Sequence, residues 1–366
     1  MKHLVLLGAG HAHVQVLHDL AREPLPGARV TLVSPFAELI YSGMVPGVVA
    51  GHYAAADCAI ALAPLAARAG AGFNVQAATH VDAAARKLTL SDGSAVPFDV
   101  LSIDTGAAMD RDQIPGAREH ALFVRPIEHF MRLLQALLEL AERRTLSLVV
   151  IGAGAGGVEL ALALQYRLGE RARLSLLTGG TPPLPTHPPN VRMRALRALK
   201  RGGVTLFEDE CRTIEAGHVV LGGGARLACD APLLAIGASA PKWLAGSGLA
   251  LDEQGFIGTG ATLQSESHPH VFAVGDVASR SDAPRPRSGV YAVRAGPPLA
   301  VNLRRFLAGG VLQNHLPQRH ALNLLSCGER RAIASWGSWS AEGRWVWWWK
   351  DRIDRGFVAR FRREGG

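Results

Sequence analysis

Apolar residues along the chain form the same pattern twice. A short apolar run, residues 4–7 and again residues 148–151, leads into a glycine-rich turn and then into a stretch of helical apolar spacing. A buried strand, a glycine turn and a helix make up the βαβ unit of a parallel sheet. The pattern predicts an α/β fold with two Rossmann-like dinucleotide-binding domains.

Each copy continues in the same order. A hairpin with glycine at its turn, residues 91–94 and 222–224, precedes an apolar strand. Both strands run seven residues from an aspartate to a glycine, Asp99 to Gly106 and Asp230 to Gly237. The chain therefore contains an internal repeat, and a glycine motif that occurs twice is stronger evidence than a lone one.

The glycines of the two turns have separate physical tasks. The first permits a tight turn, the second lets a pyrophosphate approach the main chain, and the third lets the helix pack closely on the strand. The phosphate then meets free N–H groups at the positive end of the helix. The glycines at these positions are Gly8 and Gly10 in the first copy and Gly152, Gly154 and Gly157 in the second.

The first copy departs from the pattern at its third position, which is His13. Two interpretations stay open: a side chain near the pyrophosphate, or a helix packed slightly farther from the sheet. Both copies also lack the acid that often follows the second strand and binds the adenosine ribose, since Ser34 and Thr178 stand there. The sequence leaves NADH and NADPH both open.

Composition narrows the class of protein. Hydrophobic residues make up 48% of the 366 residues and charged residues 19%, which is typical of a globular enzyme. The apolar stretch 146–164 is broken by four glycines and Glu159, so it predicts a strand, a turn and a helix and not a membrane span. The apolar run near the amino terminus is too short for a signal peptide, which favours a cytoplasmic location.

Charge and cysteine spacing limit the partners. The formal charge of +8 suits an anionic partner, and residues 313–366 hold 10 Lys or Arg against 5 Asp or Glu, a local excess of +5. No nucleic-acid recognition motif accompanies this excess, so nucleic acid is not an expected partner. The four cysteines form no CxxC or CxxxxC pair, which predicts reduced thiols and no metal site.

Residues 270–276, His-Val-Phe-Ala-Val-Gly-Asp, complete a set of motifs. With the two glycine turns they make residues 1–312 resemble the pyridine nucleotide-disulfide oxidoreductase superfamily, whose members carry two dinucleotide-binding domains. Residues 41–47 and 349–355 resemble a branch often found fused or adjacent to selenophosphate synthetase. That branch is similar to type II NADH dehydrogenases and to sulfide:quinone oxidoreductases.

The resemblance implies FAD in the first domain and NADH or NADPH in the second. It implies that Asp276 hydrogen-bonds the ribityl chain and that the chain crosses between domains at residues 105–106 and 236–237. A helix expected to begin near Pro297 would direct its positive end at the flavin pyrimidine. The candidate cofactor-binding residues are Gly8, Gly10, His13, Ser34, Thr105, Gly106, Gly152, Gly154, Gly157, Gly237, Gly275, Asp276, Ala292, Gly296 and Pro297.

Glu159, in the helix that opens the second motif, is the catalytic candidate. The resemblance implies that it reaches the junction of flavin and nicotinamide. The alternative is an acid in the first helical turn that interacts only with the helix dipole. Hydride transfer between stacked rings needs no dedicated acid or base, so both interpretations fit a flavoenzyme.

The electron acceptor is the least determined part of the reaction. No cysteine pair is present and Cys327 has no partner, so the flavin is expected to be the last protein-bound carrier. The leading hypothesis is an FAD-dependent NAD(P)H:acceptor oxidoreductase that reduces a quinone at the inner face of the cytoplasmic membrane. Two alternatives remain: a soluble reductase of a protein or a small selenium or sulfur compound, and a flavin-bearing redox sensor or scaffold.

The tail contains an aromatic stripe. Positions 345, 349, 353, 357 and 361 are Trp, Trp, Ile, Phe and Phe, a spacing that predicts an amphipathic helix. Lys350, Arg355, Arg362 and Arg363 lie mainly off this stripe. Tryptophan flanked by basic charge suits the boundary of an anionic bilayer. The alternative is packing of these aromatic residues on the protein's own core or on a second copy in a homodimer.

The motifs divide the chain into parts. Hinges are expected near residues 109–124 and 238–244. The predicted parts are an FAD-binding domain of residues 1–118 and 241–312, an inserted NAD(P)-binding domain of residues 119–240, and a C-terminal extension of residues 313–366.

Overall fold

The structure is a computed structural model that describes residues 1–362. Arg363, beside the predicted tail stripe, lies outside the described residues. The elements up to residue 120 are strands β1 (Lys2–Leu7), β2 (Ala28–Ser34), β3 (Glu38–Ile40), β4 (Ala59–Ala61), β5 (Gly72–Val75), β6 (Ala78–Asp82), β7 (Lys87–Leu90), β8 (Ala95–Pro97) and β9 (Val100–Ile103), with helices α1 (His11–Arg22), α2 (Val45–Val49), α3 (Ala55–Cys58), α4 (Leu62–Arg68) and α5 (Ala117–His120).

The middle of the chain repeats the order of strand, glycine turn and helix. Both predicted hairpins are confirmed: one joins β7 to β8, and the other joins the two strands that flank residues 222–224. The elements of this part are β10 (Leu122–Phe123), β11 (Leu146–Ile151), β12 (Ala172–Leu177), β13 (Thr205–Phe207), β14 (Cys211–Glu215), β15 (His218–Leu221), β16 (Arg226–Ala228) and β17 (Ala231–Leu234), with α6 (Ile127–Ala141), α7 (Ala155–Leu168) and α8 (Pro189–Gly202).

The last part returns to the first sheet and then adds a small antiparallel sheet and a long helix. Its elements are β18 (Ile257–Thr259), β19 (Val271–Ala273), β20 (Ala278–Arg280), β21 (Asn323–Ser326), β22 (Ala332–Trp336) and β23 (Trp339–Gly343), with α9 (Gly289–Leu307) and α10 (Arg344–Arg362).

Two five-stranded parallel sheets organise these elements. The first has the order β19-β9-β1-β2-β5 and the second β10-β17-β11-β12-β13. The chain leaves the first sheet after β9 and re-enters it at β19, beyond the whole second sheet. The predicted α/β fold with one Rossmann-like unit interrupting another is therefore confirmed. Each glycine turn follows a central strand, at the carboxyl edge where such sheets bind ligands.

The C-terminal extension belongs to both cores. Phe357 and Phe361 of α10 pack into the cluster that surrounds α1 and the first sheet. Leu325 of β21 and Ile333 of β22 pack into the cluster around α7 and the second sheet. Burial of each such side chain contributes about 1.5–3 kcal/mol to the stability of the fold. The extension therefore joins the two nucleotide-binding units.

The two predicted hinges run side by side. Ala108 and Ser239 form an isolated antiparallel bridge, with main-chain hydrogen bonds of 2.8 and 2.9 Å. The Lys242 ammonium lies 3.5 Å from Asp112 Oδ2 across the same crossing, although both side chains are exposed. The two crossings thus hold each other by main-chain pairing.

Helix α9 begins at Gly289 and not near Pro297, so the predicted start was wrong. Ser288 is the N-cap, and its hydroxyl accepts the Val290 N–H at 3.4 Å. The helix continues through Pro297, which lacks the N–H of a helical bond. The helix continues because Gly296 packs closely on α1. A Cβ at Gly296 would lie 2.8 Å from the Gln15 Cβ, and this close contact holds the helix in place.

Helix α10 divides the predicted aromatic stripe between core and solvent. Phe357 and Phe361 are buried, whereas Trp345, Trp349 and Ile353 are 56%, 38% and 42% exposed. A spacing of four residues drifts by about 40° per step on a helix of 3.6 residues per turn, so the stripe winds around α10. Packing on the protein's own core therefore holds for Phe357 and Phe361, and the membrane alternative stays a prediction for the exposed residues. No helix within residues 1–362 has the length and apolar character needed to cross a membrane.

Candidate cofactor clefts and acceptor site

The first cleft lies at the carboxyl ends of β1, β2 and β9 and has a volume of about 610 Å³. A Cβ at Gly106, whose φ is +70°, would meet no atom within 4 Å, so a ligand can approach the main chain there. A cleft of this volume over an open glycine backbone fits a dinucleotide. The predicted FAD-binding residues that line this cleft are Gly8, Gly10, Ser34, Thr105, Gly106, Asp276 and Ala292.

Asp104, which was not among the predicted site residues, holds the first glycine loop. Its Oδ2 accepts the N–H groups of Ala12 at 2.8 Å and of His13 at 3.0 Å. These two amides at the start of α1 are therefore not free, contrary to the sequence expectation. Burial raises the pKa of the Asp104 carboxyl to about 7. In the internal repeat Asp104 occupies the same position as Ala235. A polar residue at a position that is apolar in the other copy was the signal in the sequence that could have identified Asp104.

His13 is fully buried between α1 and the sheet. Its Nδ1 lies 2.6 Å from the Gly8 carbonyl oxygen and its Nε2 lies 2.8 Å from Ser102 Oγ. Burial lowers the pKa of His13 to about 4, so the ring is neutral at neutral pH. It does not line the first cleft, and its position favours the packing interpretation.

Asp276 lines the first cleft beside an arginine from the other unit. Arg125 follows β10, and its guanidinium lies 3.2 Å from the Asp276 carboxylate. Gly275, one residue earlier, packs behind the cleft, because a Cβ there would lie 2.7 Å from Asp104 Oδ1. Arg125 and Ser42 line both this cleft and the second one, so the two clefts meet at these residues.

The second cleft follows β11 and has a volume of about 1080 Å³. Three of the predicted cofactor-binding residues, Gly152, Gly154 and Gly237, line this cleft, and so does Gly156. A Cβ at Gly154 or Gly156 would meet no atom within 4 Å, which leaves the turn open to a pyrophosphate. Gly157 lies away from the cleft, where a Cβ would come within 2.0 Å of the Gly152 carbonyl oxygen. Gly157 therefore allows the glycine turn and α7 to approach closely.

Glu159 lines the second cleft from the second turn of α7, since that helix begins at Ala155. The interpretation as a first-turn acid therefore loses its basis. Its Oε1 accepts the Ser326 N–H of β21 at 2.7 Å. Burial raises the pKa of Glu159 to about 7, and the nearby Lys350 opposes this rise. The carboxyl can therefore exchange a proton near neutral pH.

The motifs of residues 41–47 and 349–355 meet at one wall of the second cleft. The Lys350 ammonium donates to the Gly43 carbonyl oxygen and to Asp354 Oδ2, both at 2.6 Å. Burial and the nearby Asp354 carboxylate raise the pKa of Tyr41, and the Tyr41 ring stacks on Phe357 at 4.4 Å between centroids. Burial raises the pKa of Asp354, and Lys350 opposes the rise. A buried, fully paired ionic cluster thus borders the place where the clefts meet.

His11, also missed by sequence reasoning, lines the first cleft beside this cluster. Its ring contacts Tyr41 edge to face at 5.4 Å, and Nε2 lies 3.4 Å from Ser42 Oγ. Burial lowers the pKa of His11 to about 4, so it offers a neutral imidazole. The available signal was a polar aromatic residue inside the glycine turn.

Three further residues that were predicted or considered lie outside the two clefts. Gly296 packs on α1, and Pro297 is exposed. Cys327 is buried beside Leu325, and burial raises the pKa of its thiol to about 12, which leaves it unreactive as a nucleophile. Within residues 1–362 the cysteines are free, and no three metal-ligating side chains converge.

Comparisons with curated proteins give relatives among quinone and NADH enzymes. The chain is 30% identical over 229 residues to the demethylphylloquinone reductase of Synechocystis sp., a match of 60% of this chain and 57% of that protein. It is 28% identical over 303 residues to an oxidoreductase of Pestalotiopsis fici, covering 78% of this chain and 79% of that protein. The matched region thus spans little more than half the length of the first relative.

Solved structures share the fold. Sulfide:quinone oxidoreductase of Aquifex aeolicus superposes with a TM-score of 0.83 at 18% identity over 99% of this chain and 92% of that one. NDH2 of Plasmodium falciparum, solved with NADH, has a TM-score of 0.84 at 13% identity over 98% and 97% of the two chains.

The family model for pyridine nucleotide-disulphide oxidoreductases matches residues 2–296. The match includes both glycine turns, both sheets and the Gly275-Asp276 motif, which confirms the resemblance to this superfamily. The chain therefore belongs to the pyridine nucleotide-disulphide oxidoreductase family, a family of FAD-dependent enzymes that use NADH or NADPH.

Proposed function

We propose that this protein is an NAD(P)H:quinone oxidoreductase that works at a membrane surface, with FAD in the first cleft and the nicotinamide nucleotide along the second. One observation carries the proposal. Helix α10 lines the second cleft with Lys350, Ile353 and Phe357 and exposes Trp345 and Trp348 to solvent. A lipophilic acceptor can move along this one helix from a lipid surface to the meeting point of the clefts.

The name of the Synechocystis relative supports a quinone as the acceptor, since it is a demethylphylloquinone reductase. The chemistry of this chain supports it as well. The described cysteines include no pair that could carry electrons beyond the flavin. A quinone needs only electrons and protons, and both are available at the meeting point of the two clefts.

FAD and the nicotinamide nucleotide supply the electron transfer when bound. The chain's own residues hold the rings, exclude water and hold protons. Glu159, with its pKa near 7, and the Tyr41-Asp354-Lys350 cluster are the proton-bearing groups at the cleft wall. Reduction of a quinone takes up protons as well as electrons, which gives these buried groups a role that hydride transfer alone would not require.

An anaerobic absorbance titration of the FAD-loaded protein tests this function. We expect NADH or NADPH to bleach the oxidised-flavin band and a short-chain quinone to restore it. Bleaching without recovery by quinone would contradict the acceptor and favour a soluble sulfur or selenium compound. Failure of both nucleotides to bleach the flavin would contradict the enzyme class and favour a redox sensor or scaffold.

The exposed tryptophan face of α10 should bind membranes. Trp345, Trp348 and Trp349 share one side of the helix, with Arg344 and Arg352 exposed beside them. We expect the combined substitution of the three tryptophans by serine to weaken binding to anionic vesicles by at least about tenfold, because each indole contributes apolar area at the interface. Vesicle co-sedimentation measures this, and reduction of the flavin by the nicotinamide nucleotide should be unchanged.

Leu316→Ser is the matched control, because Leu316 is 86% exposed but lies outside α10. Its vesicle binding should equal that of the unsubstituted protein. Equal binding by the triple variant would instead favour an α10 face that contacts a second copy of the chain.

A further inference from the structure

The cleft end beside β12 determines which nicotinamide nucleotide fits. In a dinucleotide-binding unit the pyrophosphate lies on the glycine turn and the adenosine ribose lies beside the end of the second strand. The second strand of this unit is β12, which ends at Leu177. Thr178 and Gly179 follow and line the cleft, and neither carries a charge.

An acid reaches the same place from the neighbouring strand. Strand β13 pairs in parallel with β12, with Phe207 opposite Leu177. The segment after β13 is held against the turn after β12, since the Thr178 N–H donates to the Phe207 carbonyl at 3.0 Å and the Gly179 N–H to the Asp209 carbonyl at 2.8 Å. Both strands therefore end at one edge, over the second cleft.

Glu210 is the last residue of the segment between β13 and β14, and it lines the second cleft. A Cβ at Gly180 would lie 3.9 Å from the Glu210 Cγ, so the acidic side chain stands directly beside the turn after β12. Among the contacts of residues 1–362, the Glu210 carboxylate has no hydrogen bond and no ion pair, although its main chain is held by Asp209 and Gly222.

The positively charged residues that line the second cleft lie on other walls of it. Arg125 pairs with Asp276, Arg287 with Asp252 and Lys350 with Asp354. Arg125 lies where the two clefts meet, Arg287 lies just before α9, and Lys350 lies on α10. Arg294, which also lines the cleft, is on α9 of the first unit. Among the residues that line the second cleft, the charged side chain beside the end of β12 is therefore that of Glu210.

We propose that Glu210 selects NADH over NADPH by accepting hydrogen bonds from the adenosine ribose hydroxyls. The inference rests on the proposed use of the second cleft by a nicotinamide nucleotide. A carboxylate accepting from hydroxyl groups makes charge-assisted hydrogen bonds. The 2′-phosphate of NADPH removes one of these donors and places a second negative charge against the first, which is strongly unfavourable at a recognition site.

Binding of fragments to the FAD-loaded, oxidised protein tests the inference without turnover. ADP-ribose and 2′-phospho-ADP-ribose carry the adenosine ribose but no nicotinamide, so they cannot reduce the flavin. By titration calorimetry we expect the unsubstituted protein to bind ADP-ribose at least about tenfold more tightly. Glu210→Gln should bring the two affinities closer together, and Glu210→Arg should reverse the order.

Glu208→Gln is the matched control, because Glu208 is exposed on the same segment and does not line the cleft. It should leave the affinity ratio unchanged. An unchanged ratio in Glu210→Gln, or preference of the unsubstituted protein for the phosphorylated fragment, would overturn the inference.

A second readout separates this inference from the proposed function. NADH should bleach the flavin at lower concentration than NADPH, and the ratio should follow Glu210. If neither nucleotide bleaches the flavin while the fragments still discriminate through Glu210, the redox function fails and the specificity stands. If both nucleotides bleach it equally in every variant, the function stands and the specificity fails.

Discussion

Asp104→Ala is expected to give a less stable protein that no longer retains FAD. The substitution leaves the buried N–H groups of Ala12 and His13 without an acceptor, at a cost of about 1–3 kcal/mol each. It also opens space beside Gly10 and Gly275, so the loop that borders the first cleft loses its support. Denaturant unfolding and the flavin absorbance of the purified protein measure the two effects.

Asp104→Asn is the conservative variant, because the amide oxygen can still accept the two N–H groups. It should keep most of the FAD and most of the free energy of unfolding. Full FAD content together with unchanged unfolding in Asp104→Ala would show that the carboxyl does not hold the loop.

Asp104 also predicts a dependence on pH. Burial raises the pKa of the folded protein's Asp104 to about 7, above the value of about 3.9 for an unfolded chain. The folded state therefore binds this proton more tightly, and the associated stability is present below pH about 4 and is lost as pH rises to about 7. The difference in unfolding free energy between the unsubstituted protein and Asp104→Asn should change in this window in favour of the asparagine variant.

The second large effect is expected from Gly157→Ala. The new Cβ would come within 2.0 Å of the Gly152 carbonyl oxygen, so the turn and α7 must separate. Such overpacking costs about 1–3 kcal/mol and moves the turn away from the geometry that a pyrophosphate requires. We expect affinity for NADH to fall by at least about tenfold while FAD, which we propose binds in the other unit, is retained.

Gly154→Ala separates packing from ligand contact. Its Cβ would meet no atom within 4 Å and would point into the second cleft. We therefore expect an unchanged free energy of unfolding with weaker binding of the nucleotide. Flavin reduction kinetics at varied NADH concentration, beside thermal unfolding, distinguish the two variants. Equal stability of both would indicate that the Gly157 contact relaxes without cost.

The sequence predicts the fold well because the pattern that encodes it is local. An apolar run, a glycine turn and a helix lie within about twenty residues, and the repeat of that pattern identifies both sheets. Helix α9 shows the limit of local reasoning. Pro297 is a good first-turn residue, yet the contact of Gly296 with α1 carries the helix through it, and that contact joins residues far apart in sequence.

The candidate site is less predictable for the same reason. The glycines of both turns could be found, but Lys350 and Gly43 meet across 307 positions of sequence. Residues 41–47 and 349–355 were recognisable as motifs, and only the fold brings them together. His11, Asp104 and Glu210 carried no established pattern, since their importance comes from what they face across a cleft.

The position of the C-terminal extension also sets an order of events during synthesis. Both sheets can leave the ribosome before residues 323–362, which supply Phe357 and Phe361 to one core and Leu325 to the other. Until that segment emerges, the nascent chain presents two incomplete apolar surfaces and a cleft without one wall. A chain that ends before residue 323 would therefore lack buried side chains in both cores, although both glycine turns are present in it.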